Sequence, residues 1–104
     1  MKKINIALLG CGRVAQHYDF VLNTKKIQKI TNVVAVCDLD KQRANVLGKS
    51  LEAKPIYDIN QFDVLKNDLD VVFVLTPSGL HFEHSTKLLN KGFNVVCEKP
   101  LVMR

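Results

Sequence analysis

The sequence predicts a doubly wound α/β fold, a parallel sheet with helices on both faces. Three observations carry that prediction. Short apolar runs alternate with amphipathic stretches along all 104 residues. The first run, Ile4 to Leu9, breaks abruptly into Gly10, Cys11 and Gly12 before a helical pattern begins. The second run, Val33 to Cys37, ends in Asp38, 23 residues past Ala15. A glycine turn between a buried strand and a helix, with an acid roughly 20 residues further on, is the context in which a G-x-G-x-x-G/A pattern means dinucleotide binding.

The elements follow in order. The first strand is Ile4 to Leu9. Gly10 allows the tight turn, Gly12 lets a pyrophosphate approach the backbone, and Ala15 lets the helix pack on the strand. The phosphate would rest on the free N–H groups at the positive end of that helix. The helix is expected from about Arg13 to Lys25, with Val14, Tyr18, Val21 and Leu22 on one face. The second strand is Val33 to Cys37, and Asp40 can cap a second helix that buries Ala44, Leu47 and Leu51. A short strand over Ala53 to Tyr57 follows. Asp58 and Gln61 then have capping-box spacing, with Tyr57 and Phe62 placed for a hydrophobic staple, so a third helix is expected over Ile59 to Asn67.

The fourth strand, Val71 to Leu75, is an unbroken apolar run suited to burial on both faces. Thr76-Pro77-Ser78-Gly79 reads as a turn, and a helix runs from about Leu80 to Lys91 with Gly92 as its carboxyl cap. The fifth strand is Asn94 to Cys97. Right-handed crossovers order these strands 3-2-1-4-5. The result is a Rossmann-like sheet that ends before its final strand, with a crevice between strands one and four.

Composition narrows the class. Apolar residues make up 47% and charged residues 24%, ordinary for a globular domain. One domain over residues 1–104 is expected, with no repeat and no apolar run long enough to span a membrane. Met1-Lys2-Lys3 ahead of an apolar stretch ending at Cys11 imitates a lipoprotein signal. The stretch is short and interrupted by Asn5, so a cytoplasmic protein is expected. Three cysteines, Cys11, Cys37 and Cys97, lack metal-type spacing and read as small buried hydrophobes near strand ends. The net charge of +5 comes from scattered lysines, apart from Lys25, Lys26 and Lys29 at a helix end, where the dipole favours them. No nucleic-acid partner is expected. His17 and His84 read as structural or solvated, and no metal constellation is present in the sequence.

With Thr76-Pro77-Ser78-Gly79-Leu80-His81 and Glu98-Lys99-Pro100 in place, the chain resembles the amino-terminal domain of the glucose–fructose oxidoreductase and inositol dehydrogenase family (Gfo/Idh/MocA). The ordered set of Gly-Cys-Gly-Arg-Val-Ala, Asp38, Thr-Pro…His and Glu-Lys-Pro is far more specific than any one member of it. The resemblance implies a nicotinamide-dependent dehydrogenase acting on a hydroxyl of a sugar, sugar nucleotide or cyclitol. It implies that Gly10, Gly12, Arg13 and Val14 border the pyrophosphate, and that Asp38 binds the adenosine ribose. It places Thr76, Pro77, Ser78 and His81 along the cofactor crevice, and Glu98 and Lys99 beside the nicotinamide. Lys99 is the implied catalytic residue, and Glu98 could set its position. NAD is expected rather than NADP, because a 2′-phosphate would meet the Asp38 carboxylate. Lys41 and Arg43 stand close enough in sequence to soften that rejection.

Family members continue into a second α/β domain that binds substrate. The chain is therefore expected to be a piece of a longer protein that forms homo-oligomers, inactive as a dehydrogenase by itself. The competing reading is a regulatory NAD-sensing module without chemistry. Such a module has no need of Glu98-Lys99-Pro100.

Overall fold

The computed structural model describes residues 2–97, with the side chains of Ser78 and His81 left out of the description. The expectations on Glu98, Lys99 and Pro100 lie outside the described residues.

Among the described residues, five strands form one sheet in the order β3-β2-β1-β4-β5. They are β1 (Ile4–Leu9), β2 (Thr31–Cys37), β3 (Lys54–Ile56), β4 (Val71–Val74) and β5 (Val95–Cys97). Every pair is parallel. Four α-helices join them, α1 (Arg13–Leu22), α2 (Lys25–Gln28), α3 (Lys41–Leu51) and α4 (Ser78–Asn90), with a 3₁₀ helix over Ile59–Asp68.

Side chains alternate across each strand, so the sheet feeds two cores. Ile6, Leu8 and Val36 join Ala15, Leu22, Ala44 and Leu47 on the face covered by α1 and α3. Ala7, Leu9, Val72 and Val74 join Phe62, Leu65, Leu88 and Phe93 on the face covered by α4 and the 3₁₀ helix. The central strand β1 is buried on both faces, as its unbroken apolar run requires.

Several boundaries differ from expectation for local reasons. The first helix stops at Leu22, and the basic cluster Lys25-Lys26 opens a separate helix, α2. Asn23 Nδ2 donates to the carbonyl of Asp19, and Thr24 Oγ1 donates to that of Val21. The Thr24 hydroxyl thus takes the Val21 carbonyl, which the next helical N–H would have used. β2 starts at Thr31 rather than Val33, because its polar first residues still pair with Ile4 and Asn5 through the backbone. β4 stops at Val74 and α4 begins at Ser78, two residues before the expected start, with Pro77 at its N-cap.

The capping box at Asp58 and Gln61 forms as read, and the expected α-helix is a 3₁₀ helix. Its expected staple does not pair the two rings, because they pack into different cores. Phe62 lies edge-on to Phe93 at 6.1 Å, whereas Tyr57 packs on the opposite face and donates its hydroxyl to Asn45. At the end of α4, Gly92 (φ +93°) donates to the Leu89 carbonyl, and Phe93 donates to that of Leu88. That double bond, with Phe93 buried near Leu88, is a Schellman cap.

Candidate functional site

The carboxyl ends of β1, β2 and β4 open into a crevice of about 690 Å³. It lies where the strand order reverses direction, between β1 and β4, which is where open α/β sheets bind ligands. Gly10, Gly12, Arg13, Val14, Asp38, Thr76 and Pro77 all line it.

The two glycines serve different purposes. Gly10 has φ +105°, and a Cβ there would stand 2.9 Å from both Leu75 C and Thr76 N. The residue is needed for the turn and also for the close approach of the chain leaving β4. Gly12 has an ordinary negative φ at the N-cap of α1. A Cβ there would meet only Arg43 Nη1, at 3.5 Å. What glycine provides at that position is open backbone. Among the described residues, no side chain caps the amino end of α1, so its N–H groups remain open for an anion. These features fit a dinucleotide pyrophosphate. Ala15 is 1% exposed and packs the helix on the sheet as expected. Val14, expected on the buried face, is 39% exposed and lines the crevice instead.

Asp38 stands at the end of β2 and braces the glycine turn. Its Oδ2 accepts from the Cys11 N–H at 2.8 Å, and its Oδ1 accepts from the Asp40 N–H at 2.8 Å. Each carboxylate oxygen keeps a further lone pair for a ribose hydroxyl. Asp40 caps α3 by accepting from the Gln42 and Arg43 N–H groups. Of the two cations expected near Asp38, only Arg43 lines the crevice, with its Nε 3.6 Å from Asp40 Oδ2. Lys41 is turned away, its Nζ 5.5 Å from the centre of the Tyr57 ring.

On the β4 side, Thr76 Oγ1 and His84 Nδ1 share a hydrogen bond of 3.0 Å. His84, read as structural or solvated, lines the crevice through this bond. Leu80 and His84, one helical turn apart, bring α4 to the same wall. Leu39, Asp58, Ile59 and Glu83 were also missed and line the crevice. Only Leu39, adjacent to Asp38, carried a usable sequence signal. Ser78 and His81 lie in the first turns of α4, and their side chains are outside the description.

The Cys11 and Cys37 thiols are held in their protonated form. Burial first, then the Asp38 carboxylate, pushes the Cys11 thiol up to about 12. The same causes, in the same order, raise Cys37 to about 12. Cys11 Sγ donates to the Cys37 carbonyl, and Cys97 contacts Ser85 Oγ. Among the described residues, no group of three or more His, Cys, Asp or Glu side chains could hold a metal ion. Among the same residues, no helix is long and apolar enough to cross a membrane.

Fold and crevice together define a dinucleotide-binding α/β domain. Residues 4–104 match the Gfo/Idh/MocA oxidoreductase family with its NAD-binding Rossmann fold, and the chain belongs to that family. It is 31% identical over 102 residues to D-glucoside 3-dehydrogenase of Escherichia coli K12, covering 96% of this chain and 28% of that protein. Its structure superposes on the WlbA dehydrogenase of Chromobacterium violaceum, solved with NADH and UDP-GlcNAcA. There the TM-score is 0.88 at 32% identity, over 100% of this chain and 29% of that one. A 3-ketoreductase from Actinomadura kijaniata, solved with NADP, gives 0.83 at 25% identity, over 97% of this chain and 31% of that one. The chain thus spans under a third of the length of these relatives. It is an NAD(P)-binding oxidoreductase domain.

Proposed function

We propose that residues 1–104 are the cofactor-binding domain of a dehydrogenase that moves a hydride between a nicotinamide cofactor and a hydroxyl-bearing carbon of a sugar, sugar nucleotide or cyclitol. The observation that carries the reading is the crevice at the β1/β4 switch point. An uncapped helix end, an open Gly12 and a braced carboxylate line it together. In this reading Gly10, Gly12, Arg13 and Val14 border the pyrophosphate. Asp38 takes the adenosine ribose through its remaining lone pairs. Thr76, Pro77, Ser78 and His81 line the other half.

The nicotinamide ring, when bound, accepts or returns the hydride. Lys99 is assigned the proton side of the reaction. An ammonium beside the reacting hydroxyl stabilises developing alkoxide and can relay its proton, with Glu98 setting the ammonium's position. Both residues directly follow β5, the strand next to β4 in the sheet. The relatives described above are a dehydrogenase or reductase in each case, which favours the enzyme over a sensor module.

NAD is the proposed cofactor. The Asp38 carboxylate disfavours a 2′-phosphate, and the Arg43 guanidinium on the same wall offsets part of that penalty. Titration calorimetry with NAD⁺ and NADP⁺ tests this, with tighter NAD⁺ binding expected. Tighter NADP⁺ binding overturns the preference, and binding of neither nucleotide overturns the cofactor assignment.

A further inference from the structure

The β4 wall of the crevice holds a polar pair that the glycine turn and Asp38 leave unexplained. β1 is central, with β2 on one side and β4 on the other. A dinucleotide with its pyrophosphate on the β1 turn and its adenosine ribose at Asp38 must lay its second nucleoside over β4. Thr76 stands there, just past the end of that strand.

Two contacts fix the Thr76 side chain. Its Cγ2 lies 3.0 Å from the point where a Cβ on Gly10 would stand, so the methyl group sits against the glycine turn. Its Oγ1 is bonded to His84 Nδ1 at 3.0 Å. A β-branched side chain held at both branches is left with one rotamer. The hydroxyl is not used as a helix cap, because Pro77 is the N-cap of α4 and no side chain caps that end. The Thr76–His84 bond stands in the crevice wall, which both residues line.

We propose that His84 is a positioning residue for the nicotinamide half of the cofactor, acting by holding the Thr76 hydroxyl in the crevice wall. The proposal rests on the cofactor reading above. A hydroxyl has one proton to donate and two lone pairs. When Nδ1 is unprotonated, Thr76 donates to it and turns only lone pairs to the ligand, suited to a ribose hydroxyl or a carboxamide N–H. When Nδ1 carries a proton, Thr76 accepts from it and its own proton is free for the ligand. His84 thus determines both where the hydroxyl sits and which hydrogen-bonding sense it presents.

The test uses AMP, which reaches only the Asp38 half, against NAD⁺, which reaches both. Dissociation constants are measured by calorimetry for the wild-type chain, His84→Leu, His84→Asn, Thr76→Val and the Thr76→Val/His84→Leu pair. His84→Leu and Thr76→Val should each weaken NAD⁺ roughly three- to tenfold, the range of one hydrogen bond, and leave AMP within about twofold. The double variant should bind NAD⁺ no more weakly than Thr76→Val alone. His84→Asn should restore binding, because its amide can meet the hydroxyl where Nδ1 does. Thr76→Val, close to isosteric, carries the test if His84→Leu does not fold. Unchanged NAD⁺ binding in Thr76→Val or in a folded His84→Leu overturns the proposal, and so does an equal loss for AMP and NAD⁺. If the wild-type chain binds neither nucleotide, the cofactor reading itself has failed.

Discussion

The β2 wall of the crevice holds its polar group with main chain, and the β4 wall holds its own with another side chain. Asp38 accepts from two backbone N–H groups, one in the glycine turn and one at the start of the α3 cap. Thr76 is held by an imidazole eight residues further along the chain. The strands differ in the same sense. Both strands pair on two edges, but β2 has seven residues and β4 has four. A group tied to backbone is insensitive to the identity of its neighbours. A group tied to a side chain can be tuned or lost by one substitution. The β2 wall is thus a product of the fold, and the β4 wall is a product of particular residues.

The largest expected effect comes from the joint between the two walls. Gly10→Ala forces a Cβ to 2.9 Å from the backbone at Leu75 and Thr76, at a φ that alanine rarely adopts. Strain and overpacking together should destabilise the chain by about 2–4 kcal/mol. Both walls should fail together, so chemical denaturation and AMP binding should both report the change. Retained AMP affinity would show that the walls do not depend on this contact.

Asp38→Ala should have a smaller effect that is confined to the β2 wall. It strips the buried Cys11 N–H of its acceptor, with an expected loss of about 1–3 kcal/mol. Asp38→Asn keeps an acceptor oxygen and should lose less. Denaturant midpoints for the two variants check the order. Equal losses would mean that the carboxylate charge, and not the acceptor, braces the turn.

The smallest effect at neutral pH concerns the thiols beneath the joint. Cys11 and Cys37 both have folded values of about 12, above the ordinary 9.0. Between those values the folded state binds more protons than the unfolded state. Stability should therefore fall as pH rises above about 9 and show no dependence on these groups below it. Thermal melts across that window check this. A Cys11→Ala/Cys37→Ala variant should flatten the alkaline slope, and an unchanged slope would assign it to other groups.

Much of the fold could be read from the sequence because its signals are local. The apolar runs, the Asp40 cap, the Asp58–Gln61 box and the Gly92 terminator each act within a few residues, and each forms. The errors arose where a side chain or a distant surface competes with the local pattern. α1 ends early where the Thr24 hydroxyl takes the Val21 carbonyl. Tyr57 and Phe62 part because the two faces of the sheet draw them into separate cores.

In the site, the sequence by itself determined the glycine turn, the acid after β2 and the order of the strands. Those features follow from backbone geometry and from the sidedness of parallel crossovers. It did not determine that Arg43 lines the crevice while Lys41 turns to Tyr57, or that Val14 leaves the core. Nor did it mark His84, read as structural or solvated, as the partner that Thr76 finds once α4 is laid against the end of β4. Only the tertiary structure decided these, because each depends on which surfaces meet. Helical periodicity gives a side chain its direction around the axis, and packing decides what lies in that direction.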